Sequence, residues 1–183
     1  MRSTHLAAVV AQALHANGVD PARVEFEITE HVLLQQTNTS AGTLERLREL
    51  GTKIALDDFG IGYSSLSYLR RIPFDRIKID RDFVDGIETC TASQAIVSSV
   101  TRLADALGMA TTAEGVESQG QLDLLRKLGC HEAQGYLICE PAPGEHFASP
   151  DGVRMAIPGK ADRVIRYRNA RADAVNRKSL QSG

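Results

Sequence analysis

The sequence predicts an α/β fold in which the strands of a parallel sheet alternate with helices. Short runs rich in β-branched and aromatic residues alternate along the chain with segments in which apolar residues recur at helical spacing. Most of the strand-like runs also end in polar or charged side chains, and the carboxyl ends of parallel strands carry the active site in (β/α) barrels. We therefore expect an incomplete TIM-like (β/α)8 barrel.

Five segments have the composition of strands. The most informative is Ile54-Ala55-Leu56, an apolar run that leads directly into Asp57 and Asp58. Because side chains alternate across a strand, neighbouring acids share an environment only where the strand ends and the chain turns. Phe59-Gly60-Ile61-Gly62 supplies such a turn, since glycine adopts backbone angles that other residues resist. The other predicted strands are 24–30, 76–80, 109–117 and 130–138.

Four segments between these strands have helical periodicity. They cover residues 4–17, a leucine-spaced segment from Leu44 to Leu50, residues 92–107 and residues 118–128. Glycines at positions 51, 108 and 129 stand where helices commonly stop. Ser118, with Gln121 three places later, predicts a capping box at the start of the last helix.

Acidic side chains recur at the carboxyl ends of the predicted strands. Two adjacent buried acids repel each other and lose hydration, which costs stability unless a cation or a proton compensates. Carboxylate oxygens are the ligands that Mg²⁺ and Mn²⁺ prefer. We therefore predict that one divalent-metal site gathers Glu27, Asp57, Asp58 and Glu114. The alternative for the two aspartates is capping of the following turn, because Asp readily accepts bonds from nearby backbone amides.

Five blocks of sequence resemble the EAL domain family in their order and spacing. They are Glu27-Ile28-Thr29-Glu30, the run from Asp57 to Leu66 (DDFGIGYSSL), Ile77-Lys78-Ile79-Asp80, Ala113-Glu114-Gly115-Val116-Glu117 and Gln134-Gly135-Tyr136. The resemblance extends from about residue 5 to residue 148. It implies an EAL-type barrel that hydrolyses cyclic di-GMP to linear pGpG with two Mg²⁺ or Mn²⁺ ions.

The resemblance assigns a role to each matching residue. It implies that the metal ligands are Glu27, Asp57, Asp58, Glu114 and Glu117. It makes Lys78, Glu114 and Glu27 the catalytic groups, with Lys78 beside the attacking water, where a cation favours hydroxide. The alternative for Lys78 is a salt bridge to Asp80 or Asp58. Substrate contact or support of the ligands falls to Glu30, Gln134 and Asp80.

A loop over the site is also implied by the resemblance. Its residues are Phe59, Gly60, Gly62, Tyr63, Ser64 and Ser65, and Glu30 is expected to hold it. The alternative is that Tyr63, Ser64 and Ser65 are plain turn residues.

Two elements of the family pattern are missing from the chain. The sequence contains no Glu-Ala-Leu tripeptide, and Asn38-Thr39-Ser40 follows the Glu27 strand, whereas the family's Asn-x-Ser motif precedes it. We interpret Asn38–Ser40 as a loop or helix cap. Because a typical barrel has about 250 residues, we expect about five of eight strands, with residues 1–148 forming a partial EAL domain. Whether Met1 is a native start or a fragment boundary is left open.

The missing motifs carry two metal ligands in the family, so hydrolysis by this chain is expected to be impaired. Three functions stay open. The chain is an EAL phosphodiesterase whose remaining strands belong to a longer protein, or an inactive EAL remnant that binds a protein or cyclic di-GMP, or a different metal-dependent barrel hydrolase. A homodimer is expected, because an incomplete barrel leaves the Glu27 and Gln134 strands as unpaired edges.

Composition suits a soluble cytoplasmic domain, with 43% hydrophobic and 24% charged residues. Three cysteines without a Cys-x-x-Cys pair favour a reducing compartment. We expect neither membrane insertion nor binding to a nucleic-acid polymer. Residues 149–183 are predicted to be a basic, partly disordered extension. From residue 152 onward the chain has eight Lys or Arg and two Asp, so this part has a net charge of +6 and the remainder has a net charge of −8.

Overall fold

The computed structural model describes residues 3–34, 39–60, 69 and 72–141. The chain divides into two compact units, Met1–Lys78 with Leu107–Ala110 (unit 1) and Ile79–Ala106 with Thr111–Gly183 (unit 2). Five strands form one sheet in the order β1-β2-β3-β4-β5. Their bounds are β1 Glu25–Thr29, β2 Lys53–Phe59, β3 Arg76–Ile79, β4 Ala110–Ala113 and β5 Glu132–Ala133.

The predicted parallel α/β fold is confirmed. Strand β1 pairs in parallel with β2, and β4 pairs in parallel with β5. The expectation that the Glu27 and Gln134 segments lie at the two edges of the sheet also agrees with the strand order among the described residues.

The described part of the chain contains six α-helices and one short 3₁₀ helix at Pro21–Arg23. The α-helices are α1 Ser3–Ala16, α2 Glu30–Leu34, α3 Thr39–Glu49, α4 Arg81–Val84, α5 Thr91–Ala106 and α6 Gln119–Lys127. The four helices predicted from periodicity correspond to α1, α3, α5 and α6. Helices α2 and α4 were not predicted. No described helix has both the length and the apolar character needed to cross a membrane.

The predicted capping box at the start of α6 is confirmed. Ser118 Oγ accepts a hydrogen bond from the Gln121 N–H at 3.0 Å, and Gln121 Oε1 accepts one from the Ser118 N–H at 2.9 Å. The glycine after α3 also behaves as predicted, because Gly51 has φ +92° and so ends the helix in a conformation that other residues avoid. Leu50, which the sequence placed in this helix, lies in the turn that follows α3.

The predicted end of the second strand was wrong. Strand β2 continues through Asp57, Asp58 and Phe59, and the break in its alternation is a single residue, Asp58, with φ +54°. Aspartate tolerates this left-handed conformation better than most residues. Strands β4 and β5 are shorter than predicted, so Glu114, Glu117 and Gln134 lie on the loops that follow them. Of the Asn38–Ser40 stretch, Thr39 and Ser40 begin α3, and Asn38 lies outside the described residues.

The core of unit 1 surrounds β2. Ile54, Ala55 and Leu56 are almost fully buried on both faces of the strand, as expected inside a parallel sheet. Asp75 fastens the neighbouring elements together. Its Oδ2 accepts a hydrogen bond from the Ile54 N–H at 2.9 Å, its backbone carbonyl accepts one from the Ala110 N–H at 3.0 Å, and its Oδ1 lies 3.4 Å from Arg48.

His131, which was given no role from the sequence, links three elements of unit 2. Its Nδ1 accepts a hydrogen bond from the Thr111 N–H of β4 at 3.1 Å, and its Nε2 lies 3.1 Å from Asp105 Oδ1 of α5. Because Nδ1 accepts a backbone N–H, the proton of the neutral ring belongs on Nε2, where it is donated to Asp105. The ring therefore ties α5 and β4 to the segment that leads into β5.

The described cysteines are all free thiols in contrasting environments. Cys130 is buried in unit 2, and burial raises the pKa of its thiol. Cys90 is exposed just before α5, where the Ser93 side chain and then the backbone N–H groups of the first helical turn lower the pKa of its thiol.

We predict that a disulfide reagent at about pH 7.5 labels Cys90 faster than Cys130 in the native protein. The Ser93→Ala variant should slow labelling of Cys90, because loss of the hydroxyl raises the pKa of the thiol and lowers the thiolate fraction at that pH. Ser99→Ala on the same helix is the control, since the Ser99 hydroxyl bonds the Ala95 carbonyl. Peptide mass spectrometry after timed labelling measures both rates. Equal rates for the two serine variants would contradict the prediction.

Candidate functional site

Two ion pairs cross strand β2 on one face of the unit 1 sheet. Arg76 Nε on β3 lies 3.0 Å from Glu25 Oε2 on β1, and Lys78 Nζ lies 2.9 Å from Glu27 Oε1. The β2 residue in register with Glu27 is Ala55, whose side chain is a single methyl group. This small residue leaves room for the lysine and glutamate side chains to meet across the middle strand.

Lys78 also approaches a second carboxylate. Its Nζ lies 3.1 Å from Asp57 Oδ1, which belongs to the same face as Glu27 because the register aligns Asp57 with Thr29. The Lys78 side chain is only 7% exposed, against 20% for Asp57 and 49% for Glu27. A lysine is rarely buried to this extent unless carboxylates compensate its charge. The sequence prediction that placed Glu27, Asp57 and Lys78 near the carboxyl ends of adjacent strands thus corresponds to a compact charged cluster.

Glu30 lies at the start of α2 and is only 6% exposed. Its Oε2 accepts a hydrogen bond from the Gly60 N–H at 3.3 Å, which is a contact that the predicted loop anchor requires. Phe59 is buried at the end of β2 and Gly60 has φ +100°. The remaining predicted loop residues, Gly62, Tyr63, Ser64 and Ser65, lie outside the described residues, so the loop stays a prediction.

In unit 2, the loops after β4 and β5 are joined to each other. Gln134 Nε2 donates a hydrogen bond to Glu114 Oε1 at 2.7 Å. Backbone bonds run alongside, from the Val116 N–H to the Gln134 carbonyl and from the Leu137 N–H to the Val116 carbonyl, each at 3.0 Å. A Cβ atom built on Gly135 would overlap the backbone of Val116, so the close approach of these loops requires glycine at position 135.

Glu117 is paired with a residue that the sequence did not single out. Arg81 Nη2 lies 3.1 Å from Glu117 Oε1, and Arg81 Nε lies 3.3 Å from Asp85 Oδ2. The hydrogen bond to Asp85 chiefly, and then the charges of Asp85 and Glu117, raise the pKa of Arg81. Asp80 caps α4, since its Oδ1 accepts a hydrogen bond from the Asp82 N–H at 2.7 Å. Its predicted contact with substrate stays a prediction.

The described residues contain no group of three or more His, Cys, Asp or Glu side chains arranged to hold a metal ion. The donor set of unit 1 nevertheless fits a hard divalent cation. Asp57 Oδ1 is buried without a hydrogen bond of good geometry, although the Lys78 ammonium lies 3.1 Å away, and Glu27 supplies a second carboxylate to the same ammonium. Mg²⁺ and Mn²⁺ prefer carboxylate oxygens as ligands. The two carboxylates that contact the Lys78 ammonium are therefore of the type that such an ion binds.

Residues 1–141 match the model of the EAL domain, and the chain therefore belongs to the EAL domain family. Among curated relatives, it is 46% identical over 145 residues to the cyclic di-GMP phosphodiesterase RocR of Pseudomonas aeruginosa, covering 79% of this chain and 37% of RocR. The chain spans only between 17% and 37% of the length of the first three curated relatives that it matches.

Solved structures give the same family. The chain resembles the PaMucR phosphodiesterase in its c-di-GMP complex with a TM-score of 0.72 and 38% identity, covering 76% of this chain and 56% of that one. It resembles the manganese/cy-diGMP complex of Klebsiella pneumoniae BlrP1 with a TM-score of 0.70 and 38% identity, covering 74% of this chain and 34% of that one. These likenesses confirm the EAL-type fold that the sequence predicts.

We predict that Gly135→Ala destabilises the protein by about 2–4 kcal/mol, because the added methyl group overlaps the Val116 backbone. Gly42→Ala is the matched control. It lies inside α3 with open space around the new methyl group, so it should stabilise by about 0.5–1 kcal/mol. Urea denaturation followed by circular dichroism measures both. Equal stability of the two variants would show that the loops do not depend on this close approach.

We predict that Lys78→Met destabilises the protein by about 1–3 kcal/mol, since the change leaves the Glu27 and Asp57 carboxylates without their shared ammonium. The half-exposed Glu27 keeps the loss below that of a fully buried pair. Lys53→Met, at an exposed position of β2, is the control and should change the free energy of unfolding by no more than about 0.5 kcal/mol. Urea denaturation at two salt concentrations is the measurement. A loss no larger than that of the control would contradict a central role for Lys78.

Proposed function

We propose that this chain carries part of a metal-dependent phosphodiesterase centre that hydrolyses cyclic di-GMP to the linear dinucleotide. The observation that carries the proposal is the buried Lys78 ammonium between the Glu27 and Asp57 carboxylates, in a chain of the EAL domain family. The choice of substrate is supported by the similarity to RocR, a cyclic di-GMP phosphodiesterase, and to PaMucR and BlrP1, which were solved as complexes with cyclic di-GMP.

Each unit taken by itself carries carboxylates suited to Mg²⁺ or Mn²⁺. In unit 1 the proposed ligands are Glu27, Asp57 and Asp58, and in unit 2 they are Glu114 and Glu117. When bound, such ions polarise a phosphodiester and lower the pKa of a water molecule. The manganese and calcium complexes of BlrP1 support a divalent cation.

Three side chains would orient the reacting groups or stabilise the charge that develops on them. The Lys78 ammonium, held by Glu27 and Asp57, would stabilise the negative charge that develops as water attacks the phosphate. Gln134 would keep the Glu114 carboxylate in one orientation through their 2.7 Å hydrogen bond, so that Glu114 accepts a proton from the attacking water. Glu30 would hold the start of the loop after β2 through Gly60.

The second candidate function is that of an EAL domain which binds cyclic di-GMP or a protein without cleaving the nucleotide, and the cyclic di-GMP complexes of PaMucR and BlrP1 support nucleotide binding. The proposed location is the cytoplasm, which the free thiols of the described cysteines support.

We predict that the 183-residue chain with Mn²⁺ turns over cyclic di-GMP below the ordinary enzyme range of roughly 1–10³ s⁻¹. Loss of the groups that support metal ligands already weakens metal sites by about 10–100-fold, and here two ligands of the family pattern are themselves missing. Chromatography of the products measures turnover, and calorimetry measures nucleotide binding with and without Mn²⁺. Asp57→Asn should abolish the Mn²⁺-dependent response, whereas Asp123→Asn, an exposed control on α6, should not.

The outcomes separate the candidates. Binding and slow cleavage that both need Asp57 support the proposed function, and binding without any cleavage supports the remnant. Turnover within the ordinary range would contradict the expected impairment, and absence of both binding and cleavage would overturn the proposal.

We also predict a homodimer, because β1 and β5 are the edge strands of the described sheet and an unpaired edge invites pairing with another chain. Sedimentation velocity over a range of concentrations measures the assembly. A monomer whose amides in residues 24–29 resist hydrogen exchange would contradict the prediction.

A further inference from the structure

The side-chain amide of Gln121 makes contacts beyond the needs of a helix cap. Gln121 is 9% exposed, and its Oε1 accepts hydrogen bonds from both the Glu117 N–H at 2.7 Å and the Ser118 N–H at 2.9 Å. Its Nε2 donates to the carbonyl of Val84 at 3.4 Å. A capping box needs only the bond to the Ser118 N–H. The bonds to Glu117 and Val84 therefore serve another purpose.

The extra bonds connect Glu117 to α4 from two directions. The Gln121 amide joins the backbone of Glu117 to Val84 at the end of α4, while the Glu117 carboxylate pairs with Arg81 at the start of the same helix. The Arg81 side chain also packs against Gly115, where an added Cβ would touch it. The loop that carries Glu117 is thus fixed at its backbone and at its charged end.

We propose that Gln121 is a positioning residue that holds the Glu117 carboxylate in place for a divalent cation. The proposal rests on the proposed function, in which Glu117 is one of the metal residues. Gln121 acts through the Glu117 backbone and does not itself touch the cation. Support of this kind is worth about 10–100-fold in metal affinity when it is removed.

The chain offers variants that separate positioning from helix capping. Gln121→Leu removes both, whereas Ser118→Ala removes the hydroxyl that caps α6 and leaves the Glu117 N–H bonded to Gln121. Gln121→Glu is a partial rescue, because a carboxylate at this position still accepts from both N–H groups and suits the start of a helix, but cannot donate to the Val84 carbonyl.

The first measurement is Mn²⁺ affinity of the 183-residue chain by electron paramagnetic resonance, which needs no catalysis. We expect Gln121→Leu to weaken binding about tenfold, with Ser118→Ala within about twofold of the parent and Gln121→Glu closer to the parent than to Gln121→Leu. In a Glu117→Gln background, Gln121→Leu should have little further effect, because both changes act on one carboxylate. Equal losses for Ser118→Ala and Gln121→Leu, or full additivity with Glu117→Gln, would overturn the proposal.

The second measurement distinguishes failure of this inference from failure of the proposed function. Hydrogen exchange at the Glu117 amide should be faster in Gln121→Leu and unchanged in Ser118→Ala, whether or not a metal is present. If the parent chain binds no Mn²⁺, or Glu117→Gln leaves affinity unchanged, the proposed metal role of Glu117 fails while faster exchange still supports the coupling. Unchanged exchange in Gln121→Leu would overturn the coupling itself.

Discussion

The burial of the Lys78 ammonium is the constraint on which the unit 1 cluster depends. A buried ammonium requires negative charge close by, and the Glu27 and Asp57 carboxylates supply it from two other strands. That arrangement is possible only because the middle strand carries Ala55 at the crossing point and because the register puts both acids on one face. The positions of β1, β2 and β3 are therefore coupled to one another by charge as well as by backbone hydrogen bonds.

A parallel sheet buried on both faces leaves few places for such polar groups. Along β2 the apolar run ends with Leu56, and the acids follow at the carboxyl end, where the strand leaves the core. The left-handed backbone of Asp58 interrupts the regular alternation of the strand. The strand nevertheless continues past both acids to Phe59, without the turn that the sequence predicts directly after Asp58.

Helices with a long periodic signal were predictable from the sequence, and short helices were not. Helices α1, α3, α5 and α6 each repeat an apolar face over two or more turns, whereas α2 and α4 have five and four residues, too few for a period to show. Strand β5 has only two residues, both paired with β4, and its bounds could not be predicted from so short a run. Contacts between residues distant in sequence, such as those of His131, leave no local pattern to read.

The sequence singles out candidate residues by their types and order, whereas the residues that contact them could not be predicted from it. Arg81 and Gln121 are ordinary residues in sequence, and only the folded loop shows that both act on Glu117. Arg81 contacts Glu117 through charge, whereas Gln121 contacts it through a neutral amide.

The Lys78 cluster in unit 1 depends on charge. The positions of its side chains are therefore expected to change when another cation competes for the Glu27 and Asp57 carboxylates.

Several of the contacts that hold the loops of unit 2 are made by neutral groups. The close approach at Gly135 is steric, and the Gln121 and Gln134 amides keep their hydrogen-bonding capacity across the physiological pH range, since neither group titrates. Neutral supports of this kind would keep the backbone of the loop in place if Glu117 exchanged its arginine partner for a cation. The backbone of these loops therefore depends less on charge than the Lys78 cluster of unit 1 does.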